Sequence, residues 1–241
     1  MKVISLVPSL TELLIDLGVN VVGRTRFCIY PSEKIKEIPI IGGTKNPNID
    51  KIKAIQPDLI VANKEENNEA DVVELAQMFK TIVTEIETVE DALESILLLG
   101  EATGTSTKAV QLHDEIKSYI PTKPYSDELN VVYLIWKKPL MSVGRDTYIH
   151  DVLRLYGLHN LFGNQTRYPE TNFETLRLLQ PDIILLSSEP YPFSSKHIVE
   201  FQKEIPSALI ELVNGEWFSW YGSRMLPAFK ALQSWRENIC I

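Results

Sequence analysis

Two carboxylates occupy matched places in this chain. The stretch NIDKIKAIQPDLIVAN begins at Asn48, and NFETLRLLQPDIILLS begins at Asn172, 124 residues later. Each opens on Asn, places an acid two residues on (Asp50, Glu174), runs an apolar stripe into Gln-Pro-Asp and enters an apolar run. An acid in the first turn of a helix gains about 0.3–1 kcal/mol from the aligned peptide dipoles, which by itself accounts for one in each copy. The familiar enzyme signatures are absent: no G-x-S-x-G, P-loop, H-E-x-x-H or C-x-x-C occurs. GGTKN at Gly42 lacks the spacing of a dinucleotide or Walker loop. His113, His150, His159 and His197 lie far apart, so surface or capping roles are expected of each and no metal site is assigned. Glu65, Glu66 and Glu69 read as a solvated helix entry. No catalytic residue, catalytic cofactor or enzymatic activity is expected.

Aromatic residues beside turn residues are the other chemical signal. Tyr30 lies in FCIYP, Tyr168 in TRYPETN and Trp136 in LIWKKP, while Trp217, Phe218, Trp220 and Tyr221 crowd into GEWFSWYGSR with Glu216 and Arg224 at its edges. Such rings either cover the core or line a pocket. Core packing is the simpler reading for any one of them; the glycine-flanked WFSWYG cluster reads as a binding surface. Flat rings with few charges suit a large planar or amphipathic ligand better than a bare metal ion, which needs converging donors.

These groups need elements to hold them. KVISLVP reads as a buried strand and SLTELLIDLG as a helix with Ser9 as N-cap, Glu12 completing a capping box and Gly18 at its C-terminal end. NVVGRT is the next strand. Asn48 caps a short helix striped by Ile49, Ile52 and Ile55, which Pro57 ends at Gln56. DLIVAN, without polar alternation, is a parallel strand covered on both faces. Residues 1–87 thus form an α/β lobe, 88–124 a helical bridge with a turn near Gly100 to Gly104, closed by Pro121 and Pro124, and 125–241 a second α/β lobe. The expected fold class is α/β: two similar lobes with parallel-rich sheets bridged by a long helix, with a ligand cleft between lobes.

Composition narrows the partners. A net charge of −8 argues against nucleic acid, and no segment approaches the roughly 20 apolar residues that span a bilayer. No h-region precedes the strand at Val3, which leaves a removed leader or a cytoplasmic location open. Cys28 and Cys240 could pair or stay as thiols.

In order and spacing, VISLVPSLTELLIDLG, VGRTRFCIYP, NPNIDKIKAIQPDLIVA, FETLRLLQPDIILL and EWFSWYGSR together resemble the class III substrate-binding proteins of ABC importers. These are helical-backbone receptors for cobalamin, haem and ferric siderophores, and the similarity to cobalamin-binding members covers nearly the whole chain. The resemblance implies a monomer that hands a metal chelate, cobalamin first and siderophore or haem next, to a dimeric permease. It implies permease docking through Asp50 and Glu174, where the family usually has Glu at both. It implies ligand contact through Tyr30, Tyr168 and the Glu216–Trp217 pair, to which Trp220 and Arg224 of the same cluster are added as expected ligand-binding residues. Tyr168 stands where cobalamin binders often carry Trp, and Thr44 and Asn63 stand where further Trp residues would strengthen a corrin site. An extracytoplasmic location follows from the family, with a cytoplasmic corrinoid-binding storage, sensing or handover protein as the alternative.

Overall fold

The computed structural model describes residues 1–123, 125 and 127–239, so Cys240 and Pro124 lie outside the described residues. The chain divides into two units, the first made of residues 1–86, 90–118 and 221–226, the second of 87–89, 119–220 and 227–241. The first carries β1 (Val3–Ser5), α1 (Pro8–Leu17), β2 (Val21–Arg24), α2 (Ser32–Ile35), α3 (Ile49–Ile55), β3 (Leu59–Asn63), α4 (Glu69–Ala76) and β4 (Thr81–Thr84). Helices α5 (Val89–Thr103) and α6 (Ser106–Lys117) follow, and nearly all of the segment read as a bridge falls in this unit. The second unit carries β5 (Leu129–Leu134), β6 (Leu140–Met141), α7 (Tyr148–Leu155), β7 (Leu158–Asn160), β8 (Glu170–Thr171), α8 (Phe173–Leu179), β9 (Ile183–Ser187), α9 (Ser195–Glu204), β10 (Leu209–Val213) and α10 (Glu216–Ser219). A 3₁₀ turn, Gly222–Arg224, then leads into α11 (Met225–Glu237).

The main sheets share one topology. Their strand orders, β2-β1-β3-β4 and β7-β5-β9-β10, are both 2-1-3-4 in chain order, and every pairing in them is parallel. Register matches too: Ile4 pairs with Ile60 in one sheet and Val132 with Ile184 in the other. Strands β3 and β9 are buried along their whole length, as their unbroken apolar runs require. Ile4, Leu6, Ile52 and Ile60 centre one core; Val132, Ile184, Leu186 and Phe201 centre the other.

The repeated phrase has a local cause for nearly every letter. The Asn48 and Asn172 side chains accept the N–H of Lys51 and Thr175, each at 2.9 Å. Ile52 and Leu176 are the buried positions of the two seven-residue helices. Pro bars a helical conformation at the residue before it, and both Gln56 (φ 52°) and Gln180 (φ 49°) take the left-handed conformation that stops the helix. The closing Asp is also structural. Asp58 Oδ2 accepts the Lys2 N–H at 2.6 Å and Asp182 Oδ2 accepts the Asn130 N–H at 2.7 Å, joining each copy to the first strand of its sheet.

Helix α1 departs from its expected start. Its N-cap is Val7, with Pro8 in the first turn and no side-chain cap, so Ser9 lies inside the helix and Glu12 closes no capping box. Proline explains this: it begins a helix readily and brings no N–H that needs a cap. Gly18 ends the helix at φ 88°.

His197 is built into the start of α9, where its Nδ1 accepts the Ser194 N–H at 2.9 Å in a reciprocal capping box. Burial, and then the positive charges of Lys137 and Lys196, hold this imidazole below its ordinary value of 6.5. The fold therefore favours neutral His197, and its contribution is present above about pH 6.5 and lost as pH falls through the depressed value. Denaturation midpoints are expected to drop between about pH 7 and pH 5, and to drop less in His197→Gln.

Candidate ligand-binding site

In open α/β sheets, ligands bind at the carboxyl ends of the strands, at the point where strand order reverses. In each unit here that point lies between the first and third strands of the 2-1-3-4 order. The aromatic residues singled out above stand at these edges. Tyr30 follows β2, Trp136 follows β5, Tyr168 lies in the segment after β7, and Trp217 and Trp220 follow β10. Helices α3 and α8 run back from that edge as crossovers, so Asp50 and Glu174, both exposed, stand at the carboxyl edge of their own unit.

In the first unit Tyr30 is half-buried and held from one side. The Arg224 guanidinium lies 3.8 Å from its ring centroid, a cation–π contact. Arg224 is itself clamped by Glu12, which accepts from Nε at 2.8 Å and from Nη2 at 2.6 Å. The two side chains are 19% and 12% exposed, which makes this a largely desolvated bidentate pair. Asn63, at the end of β3, is buried: its Nδ2 donates to Thr84 Oγ1, and its Oδ1 accepts the N–H groups of Glu65 and Glu66. It shapes the following turn from inside. Thr44 is half-buried, and its carbonyl accepts from Asn67 at 2.9 Å.

In the second unit the WFSWYG cluster splits. Phe218 is fully buried, 5.0 Å from Tyr133 and edge-on to Trp235 at 6.2 Å, and Tyr221 of the first unit is 8% exposed. Trp217, Trp220 and Glu216 stay half-buried. The organising residue is Glu189, whose Oε1 accepts from Ser219 Oγ at 2.7 Å and from Trp220 Nε1 at 3.0 Å. Gly215 makes room for it, since a Cβ there would stand 2.5 Å from Glu189 Cγ and 2.4 Å from Ser187 Oγ. Nothing in SSEPYPF marks Glu189 as a hub; the nearest hint is the acid beside proline at the end of an apolar strand. Tyr168 is half-buried, with the Arg167 guanidinium 5.5 Å from its ring centroid. Its loop is tied to the preceding segment by Ser142 N–H to the Pro169 carbonyl at 2.9 Å and Gly144 N–H to the Arg167 carbonyl at 2.7 Å. Trp136 is 40% exposed and edge-on to Tyr191 at 5.8 Å.

Cys28 is buried against the hydroxyls of Thr11 (3.1 Å) and Thr25 (3.2 Å). Among the described residues no three His, Cys, Asp or Glu side chains come together as a metal site. No helix among them is long and apolar enough to cross a membrane.

Two parallel sheets of identical strand order, with half-buried rings and ordered polar groups at their carboxyl edges, have the α/β fold of class III periplasmic binding proteins. The model of the family described as "Periplasmic binding protein" matches residues 3–212, and the chain belongs to that family. It is 29% identical over 198 residues to an uncharacterized ABC transporter substrate-binding lipoprotein, YvrC, of Bacillus subtilis (strain 168). That match covers 76% of this chain and 62% of the relative, so the chain spans less than two thirds of YvrC's length. It is 25% identical over 243 residues to the vitamin B12-binding protein of Pectobacterium carotovorum subsp. carotovorum (strain PC1), covering 97% of this chain and 87% of that one. The periplasmic heme-binding protein HutB of Vibrio cholerae superposes with a TM-score of 0.81 at 19% identity, over 98% of each chain, a likeness of fold alone. The family is one of substrate-binding proteins rather than enzymes, and relatives hold B12 or haem as a ligand, not as a catalytic cofactor. Its members are periplasmic or lipoprotein receptors.

Proposed function

We propose that this protein captures a metal-chelate nutrient outside the cytoplasm and delivers it to the permease of an ABC importer, with a corrinoid as the first candidate and a ferric siderophore or haem next. The observation that carries the reading is the gathering of half-buried aromatics at the carboxyl edges of two sheets of the same topology. Tyr30, Tyr168 and Trp217 are the rings proposed to lie against the flat faces of the chelate. Glu216 would supply a polar contact, Trp220 a further ring face, and Arg224 would act from behind Tyr30. Much of this surface is ordered beforehand by the Glu12–Arg224 pair and the Glu189 hub, which spares the cost of freezing side chains on binding.

Asp50 and Glu174 are proposed as the permease-docking acids, one on each unit. Exposed pairs contribute only about 0–1 kcal/mol each, so their role is registration more than affinity. Calorimetric titration with cobalamin, haem and a ferric siderophore tests the reading. One of the three is expected to bind in the micromolar range or tighter. Binding by none tighter than about millimolar would remove the transport function.

A further inference from the structure

The loop after β2 is braced more heavily than its exposure calls for. Arg24 Nε donates to the Ile35 carbonyl at 3.0 Å, and its Nη1 donates to the carbonyls of Thr25 (3.2 Å) and Cys28 (3.1 Å). Thr25 Oγ1 accepts the Phe27 N–H at 3.3 Å, the Cys28 N–H reaches the Thr25 carbonyl at 3.2 Å, and the Arg26 N–H reaches the Gly42 carbonyl at 2.8 Å. Out of this fixed loop stand Arg26, exposed, Phe27, 54% exposed, and Ile29, 52% exposed.

Arg26 has no counter-charge among the described residues. Arg224 has Glu12 and Lys64 has Glu85. Among the described residues no carboxylate lies within ion-pair distance of the Arg26 guanidinium, whose neighbour is the Phe27 ring at 5.8 Å. The chain carries 32 acids against 24 Lys and Arg, so an acid could readily have been placed beside it. Gly43 lies beside this pair: a Cβ there would meet Asn46 Oδ1 at 2.4 Å and would only touch Arg26 Nη2 and Phe27 Cε2, each at 3.4 Å. A guanidinium beside an aromatic ring, carried by a braced loop at the carboxyl edge of a parallel sheet, is suited to an oxyanion of an otherwise apolar molecule.

We infer that Arg26, backed by Phe27, is a subsite for an anionic oxygen group on the ligand, a phosphodiester or a carboxylate. This rests on the ligand reading above and narrows it to chelates that bear such a group. A complete corrinoid supplies a phosphodiester; a porphyrin or a citrate-type iron chelate supplies carboxylates.

The test compares the full chain and its Arg26→Gln variant on paired probes: cobalamin against cobinamide, which lacks the phosphodiester; haem against its dimethyl ester; and ferric citrate against ferrioxamine B. In every pair that binds, the anion-bearing member is expected to bind the unaltered protein about tenfold more tightly, as a charge-assisted contact allows. In Arg26→Gln that preference falls to unity, while affinity for the anion-free member stays within about twofold. Among the described residues Arg26 makes no side-chain hydrogen bond, so the variant's thermal midpoint is expected to match the unaltered protein's. A preference absent from the unaltered protein, or surviving in Arg26→Gln, overturns the subsite and leaves the ligand reading intact. Failure of all six probes to bind the unaltered protein removes the ligand reading itself.

Discussion

The Glu12→Ala protein is expected to lose about 3 kcal/mol of stability, the low end of the cost of stranding one partner of a desolvated ion pair. The low end applies because the two side chains keep 12% and 19% of their exposure. Glu12 takes both the Nε and Nη2 protons of Arg224, so its removal strips the guanidinium of this bidentate carboxylate while the contact with the Tyr30 ring stays. The effect reaches further because Arg224 closes the 3₁₀ turn by which residues 221–226 join the first unit. That turn is also fastened to α1 by Ser223 Oγ donating to Asp16 at 2.6 Å, and by Gly222, at φ 86°, where a Cβ would stand 3.1 Å from Leu13 Cβ. Denaturant midpoints measure the loss. The paired replacement Glu12→Leu with Arg224→Met is expected to recover most of it, since an apolar pair of similar volume needs no counter-charge. Ligand affinity should not recover with it, because Tyr30 no longer has a cation behind it. A Glu12→Ala midpoint unchanged from the unaltered protein would show the clamp to be dispensable.

That pair also marks where sequence reading stops. Residues whose partners lie within one turn were readable: Asn48 and Asn172 as caps, Gln-Pro as a helix stop, Gly18 as the end of α1. The unbroken apolar runs of β3 and β9 declared buried parallel strands, and the doubled phrase declared two copies of one fold. Glu12 was misassigned because Ser9 and Glu12 have capping-box spacing, yet Pro8 had already opened the helix. Its true partner lies 212 residues on, beyond any local pattern. The same limit hid Glu189, which acts through Ser219 and Trp220, 30 and 31 residues away. WFSWYG could not be divided by composition, since Trp217 and Phe218 differ only in which way a one-turn helix points them. The ending of Gln-Pro-Asp was likewise opaque, because Asp58 and Asp182 are explained by strands more than 50 residues earlier.

Reversing both proposed docking acids, Asp50→Lys with Glu174→Lys, is expected to abolish transport while leaving ligand binding within about twofold. Both side chains are exposed on the first turn of a short helix, and their removal uncovers no core. Each would lose a small dipole benefit of about 0.3–1 kcal/mol, so folding should be only mildly weakened. Docking is affected far more. Against a basic permease surface each reversal replaces attraction with repulsion, and a loss of about 1.4 kcal/mol at each is about a hundredfold for the pair. Single reversals separate registration from simple charge: if the two units dock as a matched pair, either one alone should cost nearly as much transport as both. Asp50 is the shorter acid, so Asp50→Glu should hold or raise the docking rate. The measurement is ligand uptake, with permease ATPase stimulation, in vesicles holding a candidate ABC permease and ATPase from the same organism, at two salt concentrations. Raising salt should weaken docking by the unaltered protein and relieve the repulsion in the double variant, so the gap between them narrows. Transport that survives double reversal would free Asp50 and Glu174 from any partner and return them to helix-end acids. The doubled phrase would then describe two copies of a fold, with no shared docking surface.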